Sequence, residues 1–326
     1  MIICRTPFRV SFFGGGTDLP EFFQKNGGAV IGTAIDKYIY HTVSKFPSEL
    51  FEYNTKIVYS KIECVNHIDD LLHAPFREIL RESNIIKDIE IHIAADLPSY
   101  SGLGSSSSFS VGLLKALSRF RGINITPLEL ANEAIRIERE VLNEAVGCQD
   151  QTFAAFGGFN LIRFGPGSSI SVEPLLISKE KMEELSASLI MFFTGITRRA
   201  ASIEADKIKN INTLNDNLKS MLHIVDEAYE LLISDKPLSG FGTLLNRGWI
   251  EKKALAAGVT SNIIDEIYST AMQNGALGGK LLGAGGGGFM LFFVPPEKRD
   301  KLKKSLNHLT EIPFKMDAPG SSIIHA

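Results

Sequence analysis

Residues 97–117 read LPSYSGLGSSSSFSVGLLKAL. Pro98, Gly102 and Gly104 interrupt regular structure, and serines 105–108 offer no apolar surface to a core. From Phe109 to Leu117 the apolar residues recur at helical spacing, which predicts a buried helix. A Gly/Ser loop is therefore expected to run into a helix N-terminus. Backbone N–H groups there are unpaired and sit at the positive end of the helix dipole. Glycines let a large anion approach the backbone, and serine hydroxyls add donors or a metal ligand, as a polyphosphate site requires. The structural alternative is a flexible linker or a serine cap. The short loop and the strand expected before it, over residues 89–95, favour the phosphate site.

Working outward toward the N-terminus, residues 2–13, IICRTPFRVSFF, predict a buried strand rich in β-branched and aromatic residues. Arg9 lies inside that apolar run, and a buried guanidinium needs an anionic partner. The strand ends in Gly14-Gly15-Gly16-Thr17-Asp18-Leu19-Pro20. Its three glycines permit close approach of something to the backbone. Asp18 by position alone is a candidate N-cap for a helix starting near Leu19.

Working outward toward the C-terminus, Thr126-Pro127-Leu128-Glu129 has the form of a helix start, and the helix is expected over 127–142. Its Glu129, Glu133, Glu138 and Glu140 are mostly expected to face solvent. One carboxylate beside the serine loop would complete an oxygen shell for Mg²⁺, which takes one or two carboxylates plus phosphates and water. Asp150, in Gly147-Cys148-Gln149-Asp150-Gln151, is another candidate cap. The pair Arg198-Arg199 follows an apolar strand at 188–193, at the expected start of a long helix. Arginines there are unfavourable to the dipole unless an anion is present, which suggests a clamp for a second anion rather than surface charge. Long amphipathic helices are expected over 213–233 and 237–255. Residues 279–288, GKLLGAGGGG, contain G-x-G-x-x-G, but a strand, FMLFFV, follows where a dinucleotide-binding loop needs a helix. Strand, glycine turn, strand is the expected local structure, with an edge strand later at 312–316.

Composition narrows the class. The chain has 326 residues, 44% hydrophobic and 22% charged, enough for two globular domains. A net charge of −3 gives no basic excess, so nucleic acid is not an expected partner. The three cysteines are far apart, without metal spacing, and fit a reducing compartment. No apolar run reaches membrane-spanning length, and the N-terminus lacks the order of a signal peptide, so a cytoplasmic protein is expected.

Three of these stretches together resemble the GHMP kinases, the family of galactokinase and of homoserine, mevalonate and phosphomevalonate kinases. R-T-P-F-R-V-S-F-F-G-G-G-T-D is similar to the family's first motif, P-x-x-x-G-L-G-S-S-S to its phosphate loop, and K-L-L-G-A-G-G-G-G to its third motif. The resemblance covers essentially the whole chain. It implies an α+β fold with a ribosomal-protein-S5-domain-2-like domain over 1–186 and a ferredoxin-like domain over 187–326. It implies that Pro98, Gly102, Leu103, Gly104, Ser105, Ser106 and Ser107 hold ATP. Ser106 and Glu138, the latter twelve residues before Asp150, would hold Mg²⁺. Asp150 would be the catalytic base beside Arg9. Gly15, Gly16, Thr17, Asp18, Lys280, Gly285 and Gly286 would meet the acceptor, with Arg198 and Arg199 on its phosphate. Galactokinases have Glu-His where this chain has Gly15-Gly16, which argues against galactose. The F-F-G-G-G-T-D form resembles the branch acting on heptose phosphate and fucose. The implied reaction is phosphorylation of the anomeric hydroxyl of D-glycero-D-manno-heptose 7-phosphate, on the way to nucleotide-activated heptose for surface polysaccharide. A fucose-type or mevalonate-type acceptor, or a non-catalytic sugar sensor, are the alternatives. The partner is then a small sugar phosphate, without nucleic acid or membrane, and a homodimer is compatible with the fold.

Overall fold

A computed structural model describes residues 1–99, 101–196 and 201–326. Two sheets share the described chain. In the first half lie strands β1 (Ile2–Phe13), β2 (Gly28–Lys45), β3 (Thr55–Val58), β4 (Ile62–Val65), β5 (Ile89–Ala95), β6 (Phe159–Gly165) and β7 (Ser169–Pro174). Helices α1 (Pro20–Asn26), α2 (Ala74–Glu82), α3 (Ser105–Phe120), α4 (Pro127–Arg136) and α5 (Gln149–Phe156) accompany them. The second half carries α6 (Lys179–Ser188), β8 (Leu189–Phe193), α7 (Ala201–Lys209), α8 (Asn215–Ile233), α9 (Ser239–Ala254), α10 (Asn262–Gln273), β9 (Gly278–Leu281), β10 (Phe289–Phe293), α11 (Arg299–Ser305), β11 (Thr310–Glu311) and β12 (Ser322–His325).

β2 organises the first sheet. Its 18 residues pair along their length with β1, while the first third takes β6 and the last third takes β5 on the other side. The sheet runs β12-β1-β2-β5-β3-β4, with β6 and β7 branching from β2. The second sheet runs β11-β8-β10-β9, all antiparallel. In chain order this is 4-1-3-2 with helices in the two crossovers, the ferredoxin-like arrangement. The expected strand, glycine turn and strand near residue 280 are β9 and β10, joined by the glycine-rich turn.

One apolar core joins the two halves. Phe12 and Phe13 at the end of β1 meet Phe241 of α9 edge-on, with ring centroids 5.3 and 4.9 Å apart. α8 packs against β1 and β2. The division at residue 186 therefore needs correcting at both ends. It falls inside α6, which packs on β8, and the tail leaves the second sheet so that β12 pairs with β1. Residues 312–316 are not an edge strand; Pro313 has no amide for a ladder.

The helix expected from Phe109 begins earlier. Gly104, in the left-handed conformation, is its N-cap, and the serines form its first turn. Ser107 and Ser108 are buried, contrary to expectation, because each hydroxyl has a partner; Ser108 donates to the carbonyl of Pro7 at 2.8 Å. The helix expected over 127–142 keeps its Thr126/Glu129 capping box but passes into a π-turn at Ile137–Val141.

The two glycine segments touch backbone to backbone. A Cβ on Gly102 would stand 2.4 Å from the Leu282 carbonyl oxygen, and one on Gly283 2.4 Å from the Gly102 Cα. Both glycines also have positive φ. Gly283→Ala forces the segments apart and adds backbone strain of about 1–3 kcal/mol. It is expected to lower the melting temperature and raise KM for ATP. A variant that matched wild type in both would show that this contact does not shape the site.

Candidate active site

The site lies where α3, the turn after β1, α5 and the β9–β10 turn meet. Gly102, Gly104, Ser105, Ser106 and Ser107 line one wall of the cleft. The N-cap Gly104 supplies no side-chain acceptor, so the first-turn amides of this 16-residue helix have no capping side chain. Such a terminus is an anion site. Two residues of the expected phosphate loop do not reach it. Leu103 is fully buried and its carbonyl takes the Arg9 amide at 3.0 Å; Pro98 is exposed outside the cleft.

Arg9 finds its anion. Its Nε and Nη2 donate to the two Asp150 oxygens at 2.8 and 2.7 Å, and Nη1 donates to the Gly102 carbonyl at 2.6 Å. The Arg9 side chain is 5% exposed, whereas Asp150 keeps 25% of its side chain open to the cleft. Asp150 is not a cap: Cys148 holds that position, and Asp150 sits in the first turn of α5. A Cβ on Gly104 would meet both Arg9 Cγ and Asp150 Oδ2 at 3.2 Å, so the pair sits against the α3 N-terminus.

Asp18 is not a cap either; Leu19 is, without a side-chain bond. The Asp18 carboxylate accepts from Gly16 N at 2.9 Å, Gln149 N at 3.1 Å and Gln149 Nε2 at 3.2 Å. Burial, with the Asp150 charge adding, raises its pKa above the ordinary carboxylate value, against the pull of the amides. Gly15, Gly16 and Asp18 line the cleft with Asp150. Thr17 does not. It is buried, with Oγ1 2.8 Å from the carbonyls of Gly14 and Ala29, so it holds the turn rather than an acceptor.

Glu138 lies in the π-turn, fully buried, while Glu140 on the same turn is exposed. Ser107 Oγ and Gln151 Nε2 both donate to Glu138 Oε2, at 2.9 and 2.5 Å, leaving Oε1 without a partner. Burial, helped by Glu144, raises the Glu138 pKa to about 7. The described residues hold no group of three His, Cys, Asp or Glu that could bind a metal by themselves. Glu138 does not itself line the cleft but touches two residues that do, Ser107 and Gln151; a carboxylate with an orphaned oxygen directly behind that wall fits Mg²⁺, which takes its other ligands from phosphate and water. Ser107 touches this carboxylate, while Ser106, the expected metal ligand, is exposed on the cleft wall.

The facing wall is cationic. Lys280 and Gly285 line it, but Gly286 does not; its amide donates to the Val259 carbonyl. Arg198 and Arg199 lie outside the described residues. Sequence reasoning missed Lys207, Lys252 and Gln149, all of which line the cleft. Lys252 had a legible signal. It follows Leu245 and Trp249 at helical spacing on the buried face of α9, where a lysine is out of place. Lys280 Nζ donates to the Phe12 carbonyl at 2.8 Å. Burial, then Arg9 and Lys207, push its pKa down to about 7.

Known proteins resemble the chain across both halves. The family profile described as GHMP kinases N terminal domain matches residues 67–158, and GHMP kinases C terminal matches 224–310. The D-glycero-alpha-D-manno-heptose 7-phosphate kinase of Campylobacter jejuni is 34% identical over 315 residues, covering 93% of this chain and 92% of that protein. The galactokinase of Pyrococcus furiosus is 26% identical over 334 residues, covering 91% and 90%. The crystal structure of a D-glycero-D-manno-heptose 1-phosphate kinase from Bacteroides thetaiotaomicron superposes with a TM-score of 0.79 at 25% identity, covering 100% and 99%. The chain belongs to the GHMP kinase family. It is an ATP-dependent phosphotransferase whose acceptor is a sugar hydroxyl.

Two measurements test the assigned roles. Asp150→Asn is expected to lower kcat by about 10²–10⁴-fold, the usual weight of a positioned base, with a much smaller change in KM for ATP. A kcat within threefold or so of wild type would remove Asp150 from the proton's path. The second concerns Lys280. Its native pKa lies below the ordinary 10.5, so the stability linked to its neutral amine is present above that value and lost as pH falls through about 7. Relative to wild type, Lys280→Met without nucleotide should therefore gain melting temperature as pH drops from about 9 to about 6. A flat difference would mean that the amine is solvated.

Proposed function

We propose that this kinase transfers the γ-phosphoryl group of ATP to the anomeric hydroxyl of D-glycero-D-manno-heptose 7-phosphate, giving the 1,7-bisphosphate. The observation that carries the chemistry is the Arg9–Asp150 pair, set between the α3 N-terminus and the Asp18 carboxylate in one cleft. The choice of heptose 7-phosphate rests on the C. jejuni relative, which matches over nearly its whole length. Gly15 supports it, because a larger side chain there would stand beside Gln149 and Ser11 on the cleft wall and take acceptor space.

Each group then has a task. The amides of the first turn of α3 cradle the triphosphate. Glu138 Oε1, with a first-turn serine hydroxyl, would hold Mg²⁺, which supplies charge neutralisation across the phosphates. The Asp18 carboxylate, fixed by three N–H donors, accepts hydrogen bonds from the sugar and orients it. Asp150 takes the proton of the attacking hydroxyl as the sugar oxygen bonds to the γ-phosphorus, and the bond to the β,γ-bridging oxygen breaks to release ADP. Arg9 holds the Asp150 carboxylate in one orientation and adds positive charge beside the moving phosphoryl. Positioning and electrostatics supply most of the rate in such transfers.

The reading predicts stoichiometric ADP and a sugar 1,7-bisphosphate from ATP and heptose 7-phosphate, identified by phosphorus NMR and mass. The kcat/KM for that acceptor should exceed those for free heptose, L-fucose, galactose and mevalonate by about 10²-fold or more, the discrimination expected when a buried polar site loses its ligand group. A higher kcat/KM on any of those four would sink the assignment.

A further inference from the structure

The cationic wall holds more positive charge than its own carboxylates balance. Lys207 on α7, Lys252 on α9 and Lys280 on β9 are 4%, 5% and 6% exposed, and all three line the cleft. The other charged groups lining the cleft are Arg9 from β1, Glu204 from α7, Asp150 from α5 and Asp18 from the turn after β1, the last held by the N–H groups of Gly16 and Gln149. Arg9 is matched by Asp150, and Lys207 by Glu204 at 2.9 Å. Among the described residues neither Lys252 nor Lys280 has a carboxylate in ion-pair contact. Lys252 Nζ donates to the carbonyls of Leu281 at 2.7 Å and Gly283 at 2.5 Å; Lys280 donates to that of Phe12. An ammonium has three donors, so these contacts leave one on Lys252 and two on Lys280.

Carbonyl oxygens satisfy hydrogen bonds but bring no net charge. Two buried ammoniums side by side are costly unless an anion joins them. Burial, then the Lys280 and Lys207 charges, hold Lys252 well below its ordinary pKa; burial, then Arg9 and Lys207, bring Lys280 to about 7. A tetrahedral dianion supplies what the wall lacks: two negative charges and several acceptor oxygens.

We propose that Lys252 and Lys280, flanked by Lys207, form a phosphoryl-binding pocket additional to the amides at the α3 N-terminus. Its ligand is a phosphate group, borne by the acceptor sugar or in transit from ATP. The proposal rests on the kinase reading of the cleft, but phosphate binding can be measured without turnover.

The first arm uses nucleotide-free protein and inorganic phosphate, by calorimetry at about pH 8 in two buffers of different ionisation heat. Wild type should bind phosphate with net proton uptake, as the Lys280 amine, whose pKa lies near 7, becomes charged. Lys280→Met and Lys207→Met should each bind about tenfold or more weakly, the loss expected for a charge-assisted hydrogen bond. Lys207→Met guards against a folding defect in Lys280→Met, and the proton uptake of wild type needs no variant. Phosphate binding without proton uptake, or unaltered in both variants when they melt as wild type does, overturns the proposal.

The second arm assigns the source by comparing heptose 7-phosphate with free heptose. A rise in KM confined to the phosphorylated sugar identifies the acceptor's own phosphate. An equal fall in kcat on both, with KM unmoved, identifies the phosphoryl in transit. Wild type inactive on either heptose would refute the assigned acceptor and leave the phosphate result standing.

Discussion

A guanidinium buried in a strand is the constraint on which the site depends. Arg9 sits in β1, where nearly every neighbour is apolar, and an unpaired charge there would cost several kcal/mol. Asp150 and the Gly102 carbonyl remove that cost, and doing so ties together three segments far apart in sequence. The strand fixes the arginine, the arginine fixes the carboxylate, and the carboxylate fixes the N-terminus of α5. The same contact places a carboxylate against the N-terminus of α3. Fold stability and the geometry of the cleft thus use one set of bonds.

The glycines matter because the other half of the site is made by backbone alone. Segments 101–104 and 282–288 approach so closely that no side chain fits between them at Gly102, Gly283 or Gly288. This close contact lets the second sheet share a wall with the first, and it brings Lys252 and Lys280 to the cleft through the carbonyls they hold.

Much of this was legible before any coordinates. The strand at 2–13, the strand–turn–strand near residue 280 and the capped helix at Pro127 follow from local patterns that the tertiary structure does not override. Arg9 announced itself as a charge in an apolar run. Asp150 and Glu138 stand out from the other carboxylates only through family motifs; position alone offers Asp150 as a cap. What was not legible depends on partners remote in the chain. The serine turn has the composition of a loop, and it enters the buried helix because the Ser107 and Ser108 hydroxyls find Glu138 and Pro7, which no local rule predicts. The π-turn that buries Glu138 and exposes Glu140 breaks the helical period on which a face assignment relies. Thr17 looked like a ligand by motif, yet its hydroxyl is consumed by two carbonyls. Lys252 carries a local signal, a lysine on the apolar face of α9, but Lys207 does not; its burial depends on Glu204 and on the carbonyl of Ala284 in the β9–β10 turn.

The return of the last strand to the first has a bearing on biosynthesis. Ile3 faces His325 across the β12–β1 ladder, and the Cys4 and Thr6 side chains meet Ser321. Until β12 arrives, β1 has an open edge, a template for pairing with another chain. A nascent chain emerging from the ribosome therefore carries Arg9 on an unsealed sheet until β12 has been made. The first sheet cannot be completed until most of the second half has already been synthesised.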